Sequence, residues 1–435
     1  MDSRMPLNAR LFIWFRLLFN CRFYYPIFTV LFLDLGLSIG EFAALNVVWA
    51  ITIVLLEVPS GALADQFGRK RLMVAAGVLM VLEMGVLCLM PVGNHDVVLW
   101  LFVLNRILSG AAEACASGAD EALAYDSLPE EDRSALWSRL MARLSRAMAL
   151  GFIVSSISGS VLYDHGNISS LLHWLGLGDI PRDVTMKLPL ALNFLTGVAC
   201  LLTCLRMTEV SHFQTTQASF SERVSQAWQG ILETGRWIWR THAALKIIVL
   251  GVVFDSIIRL FLTVSSNFYR LVGISEGWYG VIGTTASMLG LLTAGLMETC
   301  STRFSMTRNF VGLALVIFGS LLCAAHPQQG WLGVALIMPL MLGMRFLQFF
   351  LSYYLNAEVD SARRATALSF RGLTLNLAYG CMTLLFGWQT HWLEERMYVP
   401  AEDPSVFAAS LTWWPWWFAG TLVVATLLLR GHRKG

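Results

Sequence analysis

The chain has 435 residues, of which 56% are hydrophobic and 14% charged, and its formal net charge is +2. Soluble domains carry about 25% charged residues, so this composition excludes a disordered chain, a disulfide-rich secreted module and an ordinary water-soluble enzyme. The balance of charge gives no basic excess for nucleic acid. These figures predict a polytopic helical membrane protein.

Apolar windows of about 19 residues predict twelve membrane spans, which in chain order are 11–33, 41–62, 72–91, 97–121, 137–163, 187–206, 245–270, 279–299, 308–326, 331–355, 366–390 and 411–430. The longest hydrophilic stretch separates six spans from six. We therefore predict an all-α membrane protein with an N-terminal six-helix half (1–206), a cytoplasmic linker (207–244) and a C-terminal six-helix half (245–435).

The segment Ser219–Arg240 in the linker has the pattern of an amphipathic helix. Such a helix either lies in the membrane interface or serves as a linker with no lipid role, and both interpretations stay open. The outer loop 164–186 contains apolar residues that predict a short surface helix, for which we propose no function.

Lys and Arg residues predict the orientation, because they accumulate in cytoplasmic loops. With the N-terminus inside, 19 of them fall on the cytoplasmic side and 4 on the opposite side. Both termini are therefore predicted to be cytoplasmic.

The eight cysteines carry little chemical information. None forms a Cys-x-x-Cys pair, and Cys200 and Cys204, one helical turn apart, are interpreted as small apolar packing residues. No nucleophile–base or metal constellation is apparent either. We therefore expect no enzyme activity, no metal and no cofactor.

The segment between spans two and three reads Gly61-Ala-Leu-Ala-Asp65-Gln-Phe-Gly68-Arg69-Lys70-Arg71. Gly61 is expected to allow close helix packing, and Gly68 a turn conformation that side chains disfavour. The three cations hold the loop inside, and Asp65 needs a specific partner.

This segment resembles the loop 2–3 signature of the major facilitator superfamily, and the predicted span count agrees with that family. The resemblance implies two pseudo-symmetric halves and a cytoplasmic latch. In the latch, Asp65 docks on the N-terminus of span eleven, where the helix dipole favours an anion. Arg69 pairs with an acid at the inner end of span four. The alternative is that these charges only orient the loop. The latch candidates are Gly61, Asp65, Gly68, Arg69 and one of Asp120, Glu121 or Asp126.

Two further motifs, Glu57-Val58-Pro59-Ser60 and the segment 117–126, look like those of a little-characterised bacterial group of this superfamily. They imply a multi-pass protein of the bacterial inner membrane.

Ionisable residues at bilayer depth are costly and face a protein interior or a water-filled cavity. The resemblance implies that spans one, four, seven and ten line the substrate cavity, and each of them carries an arginine. The cavity candidates are Arg22, Tyr25, Arg106, Glu113, Asp255, Arg259, Arg345 and Gln348. Arg16 lies near the inner end, where it can snorkel to the interface, and is left out.

Span four carries a predicted polar stripe of Arg106, Gly110, Glu113, Ser117 and Asp120, which share one face of a continuous helix. The family resemblance links Arg106 to proton coupling. The structural alternative pairs Arg106 with Glu113 or Glu83. On span seven, the four-residue spacing of Asp255 and Arg259 predicts a same-helix ion pair.

Four arginines against Glu113 and Asp255 give the predicted cavity a charge of +2, which suits an anionic ligand. We predict a secondary active transporter that moves a small anionic solute by alternating access. The proton-coupling candidates are Glu113, Asp255 and Glu83. Expected partners are the bilayer and a small solute with a coupling proton or sodium ion, and the expected state is a monomer.

Two alternatives stay open. One is a proton-driven multidrug or metabolite efflux pump, and the other is a transporter-like sensor or scaffold that moves nothing.

Overall fold

The computed structural model describes residues 5–91, 93–210, 220–359, 364–400 and 403–432, except for the side chains of residues 62, 65, 66, 364 and 365. Regular secondary structure within these ranges is helical. The helices are α1 (Leu7–Asn20), α2 (Phe28–Asp34), α3 (Ile39–Phe67), α4 (Arg69–Cys88), α5 (His95–Ala116), α6 (Ala119–Asp126), α7 (Arg133–Tyr163), α8 (His165–Trp174), α9 (Arg182–Arg206), α10 (Phe220–Arg240), α11 (His242–Leu271), α12 (Tyr279–Leu292), α13 (Ala294–Arg303), α14 (Met306–Ala325), α15 (Gly330–Glu358), α16 (Arg364–Met397), α17 (Pro404–Leu411) and α18 (Trp414–His432).

The described residues contain nine helices that are long and apolar enough to cross a membrane, or ten if the bent pair α12–α13 is one span. The predicted twelve include two segments that do not pass this test. Predicted span one is divided into α1 and α2 by a break that includes the 3₁₀ turn Tyr25–Ile27. The helix of span eleven, α16, carries polar residues such as Asn376 and Gln389 in its interior. The count of twelve and the orientation therefore stay predictions.

The chain forms two compact units, and each draws on both halves of the sequence. Unit 1 contains Met1–Ile27, Ile51–Ala227 and Glu276–Val281, and unit 2 contains Phe28–Ala50, Trp228–Ser275 and Ile282–Gly435.

In unit 1, α4 packs against α5 and α9. Gly77 permits the close approach to α9, because a Cβ there would lie 3.0 Å from the Leu201 Cα. Cys200 and Cys204 are buried in the same apolar cluster as Met73 and Met80. This agrees with their interpretation as packing residues.

In unit 2, α11 is the central helix and packs against α15, α16 and α18. Its apolar residues are buried on most sides, including Phe254, Ile258 and Phe261. A helix that is hydrophobic all round belongs in a protein interior. The charged pair on α11 therefore lies on a helix whose other buried residues are mostly apolar.

Candidate functional site

A buried ion pair in unit 1 joins Arg22 to Glu83. The Arg22 Nη1 lies 3.0 Å from the Glu83 Oε2, and the two side chains are 4% and 0% exposed. Because α1 ends at Asn20, the Phe19 carbonyl accepts a further hydrogen bond from the Arg22 Nε at 3.0 Å. Glu83 is thus the ion-pair partner of Arg22, which neutralises the negative charge of the Glu83 carboxylate.

Arg106 is also buried, and its partner is the preceding residue. Its Nε and Nη2 donate to the Asn105 Oδ1 at 3.1 and 2.7 Å, and the Asn105 Nδ2 donates to the Glu83 backbone carbonyl at 3.0 Å. The Glu83 carboxylate binds Arg22, and the alternative that pairs Arg106 with Glu113 or Glu83 stays a prediction. Asn105, which the sequence analysis overlooked, orients the guanidinium group.

The predicted polar stripe on span four is interrupted. The helix α5 ends at Ala116, Gly118 has a φ of +75°, and Asp120 belongs to the separate helix α6. The positive φ is a conformation that glycine adopts without a Cβ penalty. Asp120 is therefore turned out of register with Arg106, and a continuous stripe is the wrong interpretation.

Glu113 and Tyr25 differ from these buried groups because their side chains are exposed, Tyr25 by 54%. The Glu113 charge is near enough to act on Tyr25 and on Glu57. Among the sequence-predicted cavity residues of unit 1, these two have exposed side chains.

On α6, Asp120 and Glu121 pair with Arg16 of α1. The Arg16 Nε lies 2.5 Å from the Asp120 Oδ2, and its Nη2 lies 2.8 Å from the Glu121 Oε1. Arg16 is thus the ion-pair partner of these two acids, and its exclusion from the predicted cavity stays a prediction.

Arg69, the arginine of the predicted latch, pairs with a different acid from those that bind Arg16. Arg69 pairs with Asp126, one of the three acids that the sequence left open, and not with Asp120 or Glu121.

The turn before α4 depends on Gly68, whose φ is +98°. A Cβ there would also lie 2.5 Å from the Glu209 Oε2, which accepts a hydrogen bond from the Lys70 backbone N–H at 3.0 Å. An acid at this helix N-terminus is favoured by the helix dipole. The prediction that Gly61 serves close packing is wrong, since no described neighbour lies within 4 Å of its Cβ position. The Asp65 side chain lies outside the described residues.

In unit 2, the predicted pair on α11 is confirmed. The Arg259 Nη2 lies 2.6 Å from the Asp255 Oδ2, and the aspartate is fully buried. Gln348 on α15 donates to the Asp255 Oδ1 at 3.3 Å. Arg259 also donates to the Asn376 Oδ1 on α16 at 2.8 Å. This ion pair thereby connects three helices.

Arg371 on α16 belongs to the same cluster and was missed. Its charge acts on Asp255, and its buried Nη1 has no hydrogen-bond partner among the described residues. Arg345 on α15, one turn before Gln348, is exposed and packs on Gly290, where a Cβ would lie 3.2 Å from the Arg345 Cγ. Arg259 and Arg371 against Asp255 leave these three groups with a net charge of +1.

The sequence signal for Arg371 was its position inside predicted span eleven. The sequence analysis considered only spans one, four, seven and ten for the cavity, and therefore did not include Arg371. The same applies to Asn376, a polar residue in an otherwise apolar stretch of that span.

Two polar contacts join segments that are distant in sequence. In unit 2, both guanidinium nitrogens Nη1 and Nη2 of Arg270 donate to the Asp34 carboxylate, at 2.7 and 2.8 Å. In unit 1, the Asp164 Oδ2 accepts from the Gly277 backbone N–H at 2.9 Å. These contacts lie at helix ends that the sequence places on the outer side.

Comparison with protein families gives one match, the model described as Major Facilitator Superfamily, which covers residues 12–383. The search of curated proteins finds no match.

Solved structures of transporters are similar along nearly the whole chain. The nucleoside transporter NupG is 13% identical with a TM-score of 0.69, over 99% of this chain and 100% of that one. A bacterial homolog of the human lysosomal transporter Spinster, in an inward-facing conformation, is 15% identical with a TM-score of 0.69, over 99% and 97%. A D-xylose–proton symporter is 14% identical with a TM-score of 0.60, over 94% and 96%. At sequence identities this low, the similarity shows a shared fold and nothing about a shared substrate.

Proposed function

Since the chain belongs to the Major Facilitator Superfamily, we propose that it is a secondary active transporter that moves a small anionic solute by alternating access. It is a multi-pass membrane protein with a transporter fold. The finer parts of the proposal, which are solute charge and mechanism, rest on the polar clusters of the two units.

The observation that carries the solute class is the charge of the unit-2 cluster. Asp255 is neutralised by Arg259 at 2.6 Å, so the half-buried Arg371 adds positive charge that this pair does not offset. The exposed Arg345 lies one turn before Gln348 on α15. Arginine binds carboxylate and phosphate groups through its fork of donors. The buried Arg371 Nη1, which lacks a described partner, is the donor that we assign to the solute.

Alternating access is supported by the Asp34–Arg270 and Asp164–Gly277 contacts. Each can exist only while its helix ends are held together, so a conformation open on that side must break them. Charge-assisted and bidentate bonds of this kind are the strong ones. We propose that they close the predicted outer side.

Transport by purified protein in proteoliposomes tests the proposal. The solute panel contains organic carboxylates, phosphate esters, lipophilic cations, and neutral sugars and nucleosides. We expect accumulation or counterflow of an anion. Arg371→Gln and Arg345→Gln are expected to raise its KM by roughly 10-fold or more, because a hydrogen bond to a charged group contributes ~1.5–3 kcal/mol. Arg308→Gln, an exposed arginine at the start of α14, is the matched control.

The outcomes separate the alternatives. Transport of lipophilic cations together with loss of proton coupling in Glu113→Gln would favour the efflux pump, because Glu113 is the exposed carboxylate of unit 1. Absence of counterflow for every solute would favour a sensor or scaffold. Uptake of neutral solutes that is unaffected by Arg371→Gln would contradict the assignment of the unit-2 cluster.

A further inference from the structure

An apolar groove of 670 Å³ lies among α10, α11, α16 and α18 of unit 2. Its walls include Val249, Leu385, Val424 and Leu428. The last two side chains are 57% and 60% exposed. The volume is within the range of ~300–1,000 Å³ that ligand pockets have, although none of the predicted cavity residues lines the groove.

The hydroxyl groups of the groove lining have no donor to offer. The Thr374 Oγ1 donates to the Phe370 carbonyl and the Thr421 Oγ1 to the Trp417 carbonyl, each at 2.8 Å on its own helix. A polar ligand would lose its hydrogen bonds with water on entering such a surface, at a cost in free energy. Apart from the indole N–H groups of Trp239, Trp416 and Trp417, the lining therefore offers apolar surface, which favours a hydrocarbon chain.

The length of the groove matches one leaflet of a bilayer. Lining residues on α18 extend from Trp416 to Leu428, which at 1.5 Å per residue is about 18 Å. The hydrocarbon core of a bilayer is ~30 Å thick, so one leaflet occupies ~15 Å. An acyl chain that enters from one interface can thus lie along the groove.

One end of the groove is basic. Arg236, Arg240 and Arg430 are exposed, and each lies within two residues of a lining residue, such as Trp239 on α10 or Leu428 on α18. The sequence predicts a cytoplasmic position for all three. Exposed guanidinium groups at the membrane surface attract anionic lipid headgroups and match the geometry of a phosphate.

The helix α10 is fixed at this end by specific packing. Gly235 lies against Phe370, where a Cβ would approach the Phe370 Cε2 to 2.8 Å. The His432 ring packs edge-on against Trp239, with a centroid distance of 5.6 Å, and stacks on His242 at 6.2 Å. The C-terminal part of α10, which carries Arg236 and Arg240, is therefore packed against α16 and α18.

We propose that this groove binds one acyl chain of an anionic phospholipid, with the lipid phosphate on Arg236, Arg240 and Arg430. The apolar walls account for binding of the acyl chain, and the arginines account for binding of the anionic headgroup. The site is separate from the proposed solute cluster, and the inference does not depend on which solute is transported.

Native mass spectrometry of the full-length protein released from lipid nanodiscs tests the proposal. The probes are phosphatidylglycerol and phosphatidylcholine with identical acyl chains, and inorganic phosphate alone. We expect phosphatidylglycerol to be retained preferentially. Arg236→Ala and Arg240→Ala should reduce that preference by about fivefold each, the effect of ~1 kcal/mol per arginine. Arg308→Ala, also exposed, should leave it unchanged.

A second pair of variants tests the groove itself. Val424→Trp fills the groove and should reduce retention of both lipids, whereas Leu427→Trp, on the same helix but not in the lining, should not. Equal retention of the two lipids by the unmodified protein would overturn the headgroup assignment. Equal behaviour of the two tryptophan variants, or binding of inorganic phosphate as tight as that of the lipid, would overturn the acyl-chain assignment.

Discussion

Replacing Glu83 by glutamine would leave the Arg22 guanidinium group buried beside an uncharged amide. The paired atoms are 3.0 Å apart in the native protein. At an effective dielectric constant of ~20 their attraction is about 5.5 kcal/mol. This agrees with the ~3–5 kcal/mol that is lost when one partner of a buried pair is removed. We therefore expect Glu83→Gln to lower the free energy of unfolding by ~3–5 kcal/mol.

A matched comparison exists in the same unit. Arg182 and Glu276 are also 3.0 Å apart, but their side chains are 46% and 14% exposed. In water the attraction at that distance falls to about 1.4 kcal/mol, and exposed pairs contribute a net ~0–1 kcal/mol. Glu276→Gln should therefore have a small effect. The double variant Arg22→Met/Glu83→Leu should recover most of the lost stability, because no charge is left buried.

Thermal unfolding of the purified protein in one detergent, followed by intrinsic tryptophan fluorescence, measures all three variants. The expected result is a Tm for Glu83→Gln several degrees below that of the native protein and of Glu276→Gln. The reasoning is refuted if the two single variants are equally stable, or if the double variant is no more stable than Glu83→Gln.

Two further predictions concern close contacts and outer closure. Gly280→Ala should destabilise by ~1–3 kcal/mol, because its Cβ would collide with the Ser156 carbonyl. Gly295→Ala, with no described neighbour within 4 Å, should be neutral in the same unfolding assay. Asp34→Asn removes the charge from the bidentate bond of Arg270. A hydrogen bond to a charged group contributes ~1.5–3 kcal/mol, and its loss corresponds to roughly 10–150-fold faster opening of these helix ends. Hydrogen–deuterium exchange of α2 measures that opening, and unchanged exchange would contradict the closure.

Local features were predictable from the sequence because their cause is local. The ion pair Asp255–Arg259 follows from four-residue spacing on one helix. The amphipathic pattern that begins at Ser219 gives α10, which is described from Phe220 onward. The family signature at Gly68 and Arg69 likewise lies in one short segment, and its family assignment is confirmed.

Partners across helices were not predictable in the same way. Arg22 and Glu83 are 61 residues apart, and spacing on one helix contains no information about that pairing. The acid for Arg69 was ambiguous because Asp120, Glu121 and Asp126 are close in sequence. All three acids lie on α6, after Gly118 with its positive φ, and a single glycine does not reveal the angle at which the next helix leaves.

The division into two units has a mechanical consequence for the helices that belong to both. The chain passes from unit 1 to unit 2 after Ile27, at the end of a 3₁₀ turn. It passes between them again after Ala50, after Ala227 and after Val281, within the continuous helices α3, α10 and α12, and after Ser275 between α11 and the next 3₁₀ turn. A turn can rotate as a hinge with little resistance, whereas a hydrogen-bonded helix resists bending along its length. The connections through these helices are therefore stiffer than the one through the turn Tyr25–Ile27.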